Sequence, residues 1–213
     1  LMNVLFLKLK LSLLPIFFIL FLFSVHSASA DIATGLVSHY KMDETSGTTA
    51  VDSTGTNTGT ITGATFSAGK INNGLSFNGT SDYAKLSNIL PAFSEFTVSS
   101  WVKVDDLAAV RGIFTSRNGS NNSFRYRIDT TGFVRLIIGG ASTVDASTIM
   151  TSGALQVGKF YHIVVSGKSA EYLRIYVDGV LVREKTTTQA IGVPNAVGYI
   201  GSSWNTSTEL MKG

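Results

Sequence analysis

Beyond residue 30, apolar and polar positions alternate with a period of two along most of the chain, and helical spacing is hard to find. Phe96, Val98, Ser100, Val102 and Val104 take turns with Thr97, Ser99, Trp101 and Lys103, which predicts a strand with one apolar and one mixed face. The same pattern predicts strands over residues 36–42, 75–77, 124–128, 133–138, 161–166 and 197–200. Residues 173–177 and 180–182 flank Asp178-Gly179, the chemistry of a type I′ turn, so Val177 is expected to face Val180 across a two-residue hairpin. Asn78-Gly79, Asn118-Gly119 and residues 129–132 mark further turns. Many short strands at close spacing predict an all-β, antiparallel β-sandwich.

Residues 43–70 break the pattern, being crowded with Thr, Gly, Ser and Asn. They read either as a solvated linker or as a loop held in place through Ile61, Phe66 and the spaced Asp43, Asp52 and Asn57. At the N-terminus, Lys8 and Lys10 precede an apolar run over residues 11–23, and Ala28-Ser29-Ala30 supplies a small-residue cleavage pattern before Asp31. Residues 1–30 are therefore read as a secretory signal, too short for a stable membrane span, with an uncleaved anchor as the alternative. Without cysteine, lipoprotein attachment is excluded. Lys8 and Lys10 account for two of the chain's 17 basic residues, and none of its 14 acidic ones lies in that segment. Residues 31–213 are thus near neutral, which argues against a nucleic-acid partner, and they suffice for one domain with a core of its own.

Gly35-Leu36-Val37-Ser38-His39-Tyr40-Lys41-Met42-Asp43-Glu44 and Asp52-Ser53-Thr54-Gly55-Thr56-Asn57 open a series of short motifs. Leu75-Ser76-Phe77-Asn78-Gly79 with Asp82-Tyr83, then residues 96–102, 158–165 and Tyr176-Val177-Asp178-Gly179 continue it. In this order and spacing they resemble the laminin-G-like, concanavalin A-like jelly-roll domains of secreted proteins. The resemblance covers nearly all of residues 31–213. Phe160 stands where such domains usually carry Trp, and their closing strand, an Asp-Glu-Val-Arg-like run that pairs near the first strand, has no counterpart before Gly213. The expectation is a jelly roll lacking its C-terminal strand, with residues 36–42 left as an unpaired sheet edge. The resemblance also implies a rim calcium, carried over to Asp52 and Asn57, with Asp43 and Asp82 as secondary ligands. Oxygen-rich loops suit that hard cation, and Asx turns at the same residues are the alternative.

Catalysis finds little support in the residues. A retaining glycosidase on such a fold needs carboxylates about 5–5.5 Å apart on one strand face, whereas Asp43-Glu44 and Asp105-Asp106 are adjacent and point apart if extended. No Gly-x-Ser-x-Gly elbow is present, and residues 31–213 hold two histidines, His39 and His162. The lack of Cys and the few His argue against zinc, and a lyase pairing of Tyr126 with Arg125 or Arg127 has no further support. Ligand binding fares better. Tyr83, Tyr126 and Trp204 offer rings for sugar stacking at the rim or concave sheet, and Arg117, Arg125, Arg127 and Arg135 offer planar donors for carboxylates or sulfates. Residues 111–135 contain five Arg and one acid, Asp129, a local basic excess that suits an acidic glycan. Core tyrosines, a core Trp101 and merely solubilising arginines are the competing reading. The sequence is thus read as an extracellular carbohydrate- or protein-binding module of a larger secreted or surface protein, with a glycan or cell-surface protein as partner. A polysaccharide hydrolase or lyase and a structural adhesin domain are the alternatives.

Overall fold

The structure, a computed structural model, describes residues 34–90, 93–118, 122–138, 148–186, 196–202 and 208–213. The expected signal segment lies outside these residues. Residues Leu36–Gly213 form one compact unit, distinct from Leu1–Gly35. Among the described residues all regular elements are strands: β1 (Thr49–Ala50), β2 (Gly59–Thr62), β3 (Thr65–Ala68), β4 (Asn73–Ser76), β5 (Tyr83–Leu90), β6 (Glu95–Lys103), β7 (Arg111–Asn118), β8 (Asn122–Ile128), β9 (Phe133–Ile138), β10 (Thr148–Ala154), β11 (Phe160–Lys168), β12 (Tyr172–Val177), β13 (Val180–Thr186) and β14 (Ala196–Ile200). An eight-stranded sheet runs β1-β2-β5-β14-β7-β8-β9-β10, a four-stranded sheet runs β13-β12-β11-β6, and β3 pairs with β4. All pairings are antiparallel. The fold is the expected antiparallel sandwich.

Alternation builds the core. Phe124, Tyr126 and Ile128 of β8 and Val134, Leu136 and Ile138 of β9 are buried on the inner face of the larger sheet, and Ile163, Val165, Leu173 and Ile175 are buried on that of the smaller. The sheets meet where Phe96 of β6 stands edge-on to Phe124, ring centroids 5.0 Å apart, and where Ser100 Oγ lies 3.2 Å from Tyr126 Oη. Each such aliphatic or aromatic side chain contributes roughly 1.5–3 kcal/mol by leaving water. The β12–β13 hairpin forms as expected: Val177 faces Val180, and Asp178 (φ 49°) and Gly179 (φ 80°) both take the positive φ of a type I′ turn. Asp129 and Gly132 close the β8–β9 turn through a 3.0 Å backbone bond.

Two expectations need correction. Residues 36–42 are not a strand: their one ladder contact is a bridge between Tyr40 and Asp52. Met42 turns into the left-handed region (φ 58°), and Leu36 and Val37 are exposed. These residues are therefore no sheet edge. Residues 43–70 are not a linker: β1, β2 and β3 lie within them, and Ile61, Phe66, Asp52 and Asn57 hold the segment in place. Ala50, alongside the expected Ile61, is buried in the core. Strands β5, β7 and β10 went unpredicted. In β7 the reason is visible: Thr115 and Ser116 are fully buried, their hydroxyls donating to Phe124 O at 3.0 Å and Ala196 O at 3.2 Å, which breaks an alternation rule based on polarity alone. At the other end, Phe77 and Gly213 exchange backbone bonds of 2.9 and 3.3 Å and Lys212 bridges Asn78. The closing residues thus pair beside β4.

Candidate functional site

Register decides which side chains share the outer face of the eight-stranded sheet. Thr60 pairs with Lys85, Lys85 with Tyr199, Tyr199 with Thr115, Thr115 with Arg125, and Arg125 with Ile137. Directly paired residues point the same way, so these side chains form one row across the sheet. At about 4.8 Å per strand, Lys85 and Arg125 stand about 14 Å apart along it. Two positions along their strands, Tyr83, Arg117 and Arg127 share the face, and Arg127 sits opposite Arg135. The rings of Tyr83 and Tyr199 meet edge-on with centroids 6.0 Å apart. Between Tyr199 and Arg125 the small Thr115 is fully buried, covered by the groups around it.

Charge accumulates at one end of this row. Arg127 Nη1 lies 2.5 Å from Glu209 Oε1, and Arg135 Nε lies 2.6 Å from Asp129 Oδ2. Glu209 is held in the left-handed region (φ 53°), and its carbonyl accepts the Gly112 amide at 3.0 Å. Burial, and next the neighbouring cation of Arg127, hold Arg125 below its usual range; Glu209 partly offsets this and Arg117 adds to it. Burial pushes the Asp129 carboxyl up, but hydrogen bonds from Thr131, Arg135 and Phe133 outweigh it and bring it down to about 2.

Several predicted site residues fall elsewhere. Tyr126 is fully buried on the inner face, opposite to Arg125 and Arg127, and burial pushes its hydroxyl well above the usual range. It can neither stack on a ligand nor act as a lyase base with those arginines, which corrects both readings. Trp204 lies outside the described residues. Arg111, counted in the basic excess, is buried, paired with Asp106, and donates to Leu210 O at 3.3 Å, so it braces the C-terminal segment. Conversely Trp101, weighed as a core residue, is 42% exposed on the outer face of the four-stranded sheet, beside His162 at 5.2 Å. Tyr199, Lys85 and Glu209 were missed. Strand 197–200 was predicted, but only the pairing register shows which of its residues stand beside Arg125.

Three of the expected calcium ligands, Asp52, Asn57 and Asp82, are engaged by groups of the protein itself. Asp52, 2% exposed, accepts the amides of His39 (2.8 Å), Thr54 (3.0 Å) and Asn57 (3.0 Å) and the Thr54 hydroxyl (2.7 Å). Burial pushes it up, yet these bonds hold it well below the usual carboxylate range. Asn57 Oδ1 accepts the Asn88 amide at 2.8 Å. Asp82 is committed to the Asn78 amide at 2.8 Å and to Ser81 Oγ at 3.2 Å. Asp43 accepts from Asn72 Nδ2 at 3.3 Å and lines, with Lys41, Glu44, Val51 and Ser53, a pocket of about 400 Å³. Asp52 and Asn57 are thus brought together, but as an Asx-type loop brace. Among the described residues no three of His, Cys, Asp and Glu gather to hold a metal.

A family model described as the concanavalin A-like lectin/glucanases superfamily matches residues 78–213. The chain belongs to this superfamily. The matched part of this concanavalin A-like domain holds Tyr83, Lys85, the arginines and Tyr199. No curated protein sequence is a significant match. Among solved structures, domain 4 of AbnA, a GH43 extracellular arabinanase from Geobacillus stearothermophilus in complex with arabinotriose, is similar at 22% identity and TM-score 0.59. That match covers 76% of this chain and 81% of that one. A Trypanosoma rangeli sialidase in complex with 2,3-difluoro-KDN is similar at 18% identity and TM-score 0.59, over 84% of this chain and 29% of the sialidase. The binding domain of Paraclostridial Mosquitocidal Protein 1 matches at 13% identity and TM-score 0.54, over 66% of this chain and 38% of that one. At these identities the likeness is one of fold.

Proposed function

We propose that the protein is an exported carbohydrate-binding module that holds a glycan on the outer face of its eight-stranded sheet. The observation that carries the reading is the row Lys85–Tyr199–Thr115–Arg125. Tyr199, steadied by Tyr83, offers a ring surface for a sugar, and Lys85 and Arg125 offer donors on either side. Rigid strands preorganise these groups, so little ordering entropy is lost on binding. The likeness in fold to the arabinanase domain that carries arabinotriose supports the same class of ligand. Export rests on the signal pattern of residues 1–30 and places the ligand outside the cell.

Binding is favoured over hydrolysis because the two carboxylates near the face, Asp129 and Glu209, are each paired with an arginine. A glycosidase acid needs a raised pKa, whereas that of Asp129 is about 2. The test is isothermal titration of the purified protein with soluble polysaccharides, arabinan included. The expected result is binding that weakens about tenfold or more in Tyr199→Ala, in line with a stacking contact of about 1–3 kcal/mol, and is unchanged in Tyr126→Phe. Binding that survives Tyr199→Ala, or release of reducing sugar by the wild-type protein, would overturn the proposal.

A further inference from the structure

We infer that the glycan held on this face is anionic, its carboxylate or sulfate ester seated against the guanidinium groups of Arg125 and Arg127 beside Tyr199. This rests on the glycan-binding reading and narrows its ligand class. Arg117, Arg125, Arg127 and Arg135 stand on the same face of three adjacent strands, and Arg127 and Arg135 are direct cross-strand partners. Like charges so placed repel each other. Glu209 pairs with Arg127 and Asp129 with Arg135, and Lys85 adds a further cation three strands away from Arg125 in the Tyr199 row.

The accumulation is local. Residues 31–213 are near neutral, so a general basicity does not account for it. Guanidinium is also the group whose planar donors match a carboxylate or an oxyanion in two parallel bonds. The lowered proton affinity of Arg125, from burial and the adjoining Arg127 cation, marks a place where an added anion is favoured. Glu209 shows the geometry at work: its carboxylate already occupies one side of Arg127 at 2.5 Å.

The experiment is isothermal titration of the purified protein with polygalacturonate, dextran sulfate, unmodified dextran and arabinan, at 50 and 500 mM NaCl. One polyanion is expected to bind at least about tenfold more tightly than the neutral chains, with the advantage shrinking at high salt. The better of the two polyanions identifies the carboxylate or the sulfate ester as the group. Arg125→Gln is expected to weaken that binding about 10- to 100-fold, the range of a charge-assisted hydrogen bond, and Arg125→Lys to restore part of it. Should Arg125→Gln lower the melting temperature markedly, Arg117→Gln, nearer the end of β7, takes its place with a smaller loss. Arg174→Gln, on the four-stranded sheet beside Glu184, is expected to change nothing. Equal loss in Arg174→Gln would mean bulk charge attraction and overturn the inference. Neutral chains bound as tightly as the polyanions would overturn it too while leaving the glycan-binding reading intact; binding to none of the four would remove both.

Discussion

Replacing Asp52 by alanine separates a structural carboxylate from a metal ligand. The side chain is 2% exposed and accepts three backbone amides and the Thr54 hydroxyl within 3.0 Å. These bonds tie residues 39, 54 and 57 together and hold the segment that carries β1 against β2. Not all of them are lost at full cost. The bond to the Asn57 amide is buried, while those from His39 and Thr54 are part-buried, so water can reach these two once the carboxylate is gone. A buried donor left unsatisfied costs about 1–3 kcal/mol and the others less, so the total is about 2–4 kcal/mol. For a domain of this size, with about 2–4 °C per kcal/mol, the melting temperature should fall by about 4–16 °C. The assay is thermal unfolding of wild type and Asp52→Ala by circular dichroism, each with calcium and with EDTA. The wild type should melt at the same temperature in both, because its carboxylate oxygens are already occupied. A calcium-dependent rise in the wild type that Asp52→Ala abolishes would refute the loop-brace assignment, and a fall of less than about 2 °C in EDTA would refute the magnitude.

Acid should destabilise the fold by the same logic. Asp52 and Asp129 both titrate below their unfolded values. Their contribution is therefore fully present above pH of about 4 and is lost as the pH falls through the folded values, near 2 for Asp129. A melting temperature flat from pH 7 to 5 and falling below pH of about 4 is expected in a pH series, and a maximum below pH 4 would contradict it. Tyr126→Phe removes a buried hydroxyl that lies 3.2 Å from Ser100 Oγ and should cost about 1 kcal/mol in chemical denaturation. Gly201→Ala should cost at least about 1 kcal/mol, since φ is +80° and the added Cβ would come within 2.4 Å of the Phe77 ring. A variant as stable as wild type would show that Phe77 yields.

How much of this could be read from the sequence depends on whether the controlling interaction was local. The β12–β13 hairpin could, because Asp178-Gly179 sets its own backbone conformation whatever surrounds it. Strands β6, β8, β9, β11 and β14 could, because their alternation survives in residue type. Strand β7 could not: Arg111, Thr115 and Ser116 are buried, each hydrogen-bonded to a partner distant along the chain or on a neighbouring strand. The calcium ligands followed from a resemblance in loop chemistry. Asp52 and Asn57 do come together, and backbone amides within the same segment bond the carboxylate.

The candidate face shows most clearly what alternation leaves undecided. Arg125 and Tyr126 necessarily point to opposite faces, yet nothing in residues 124–128 alone states which arginines meet which tyrosine. Pairing register decides that. An irregularity between Gly112 and Phe114 resets the count partway along β7, and opposite the regular step from Val197 to Tyr199 two extra residues are accommodated in β5. Beyond them, Tyr199 faces Thr115, and Thr115 faces Arg125. A slip of one residue in β14 would turn Tyr199 toward the core and present Ile200 or Gly198 in its place. Both neighbours resist that slip. Gly198 lies on the inner side with no room for a side chain, since a Cβ there would come within 2.7 Å of Leu86 and 3.0 Å of Phe114. The backbone position that only glycine can fill thus keeps Tyr199 on the outer face beside the arginines, and the core packing at Gly198 and the binding row at Tyr199 are two sides of one register.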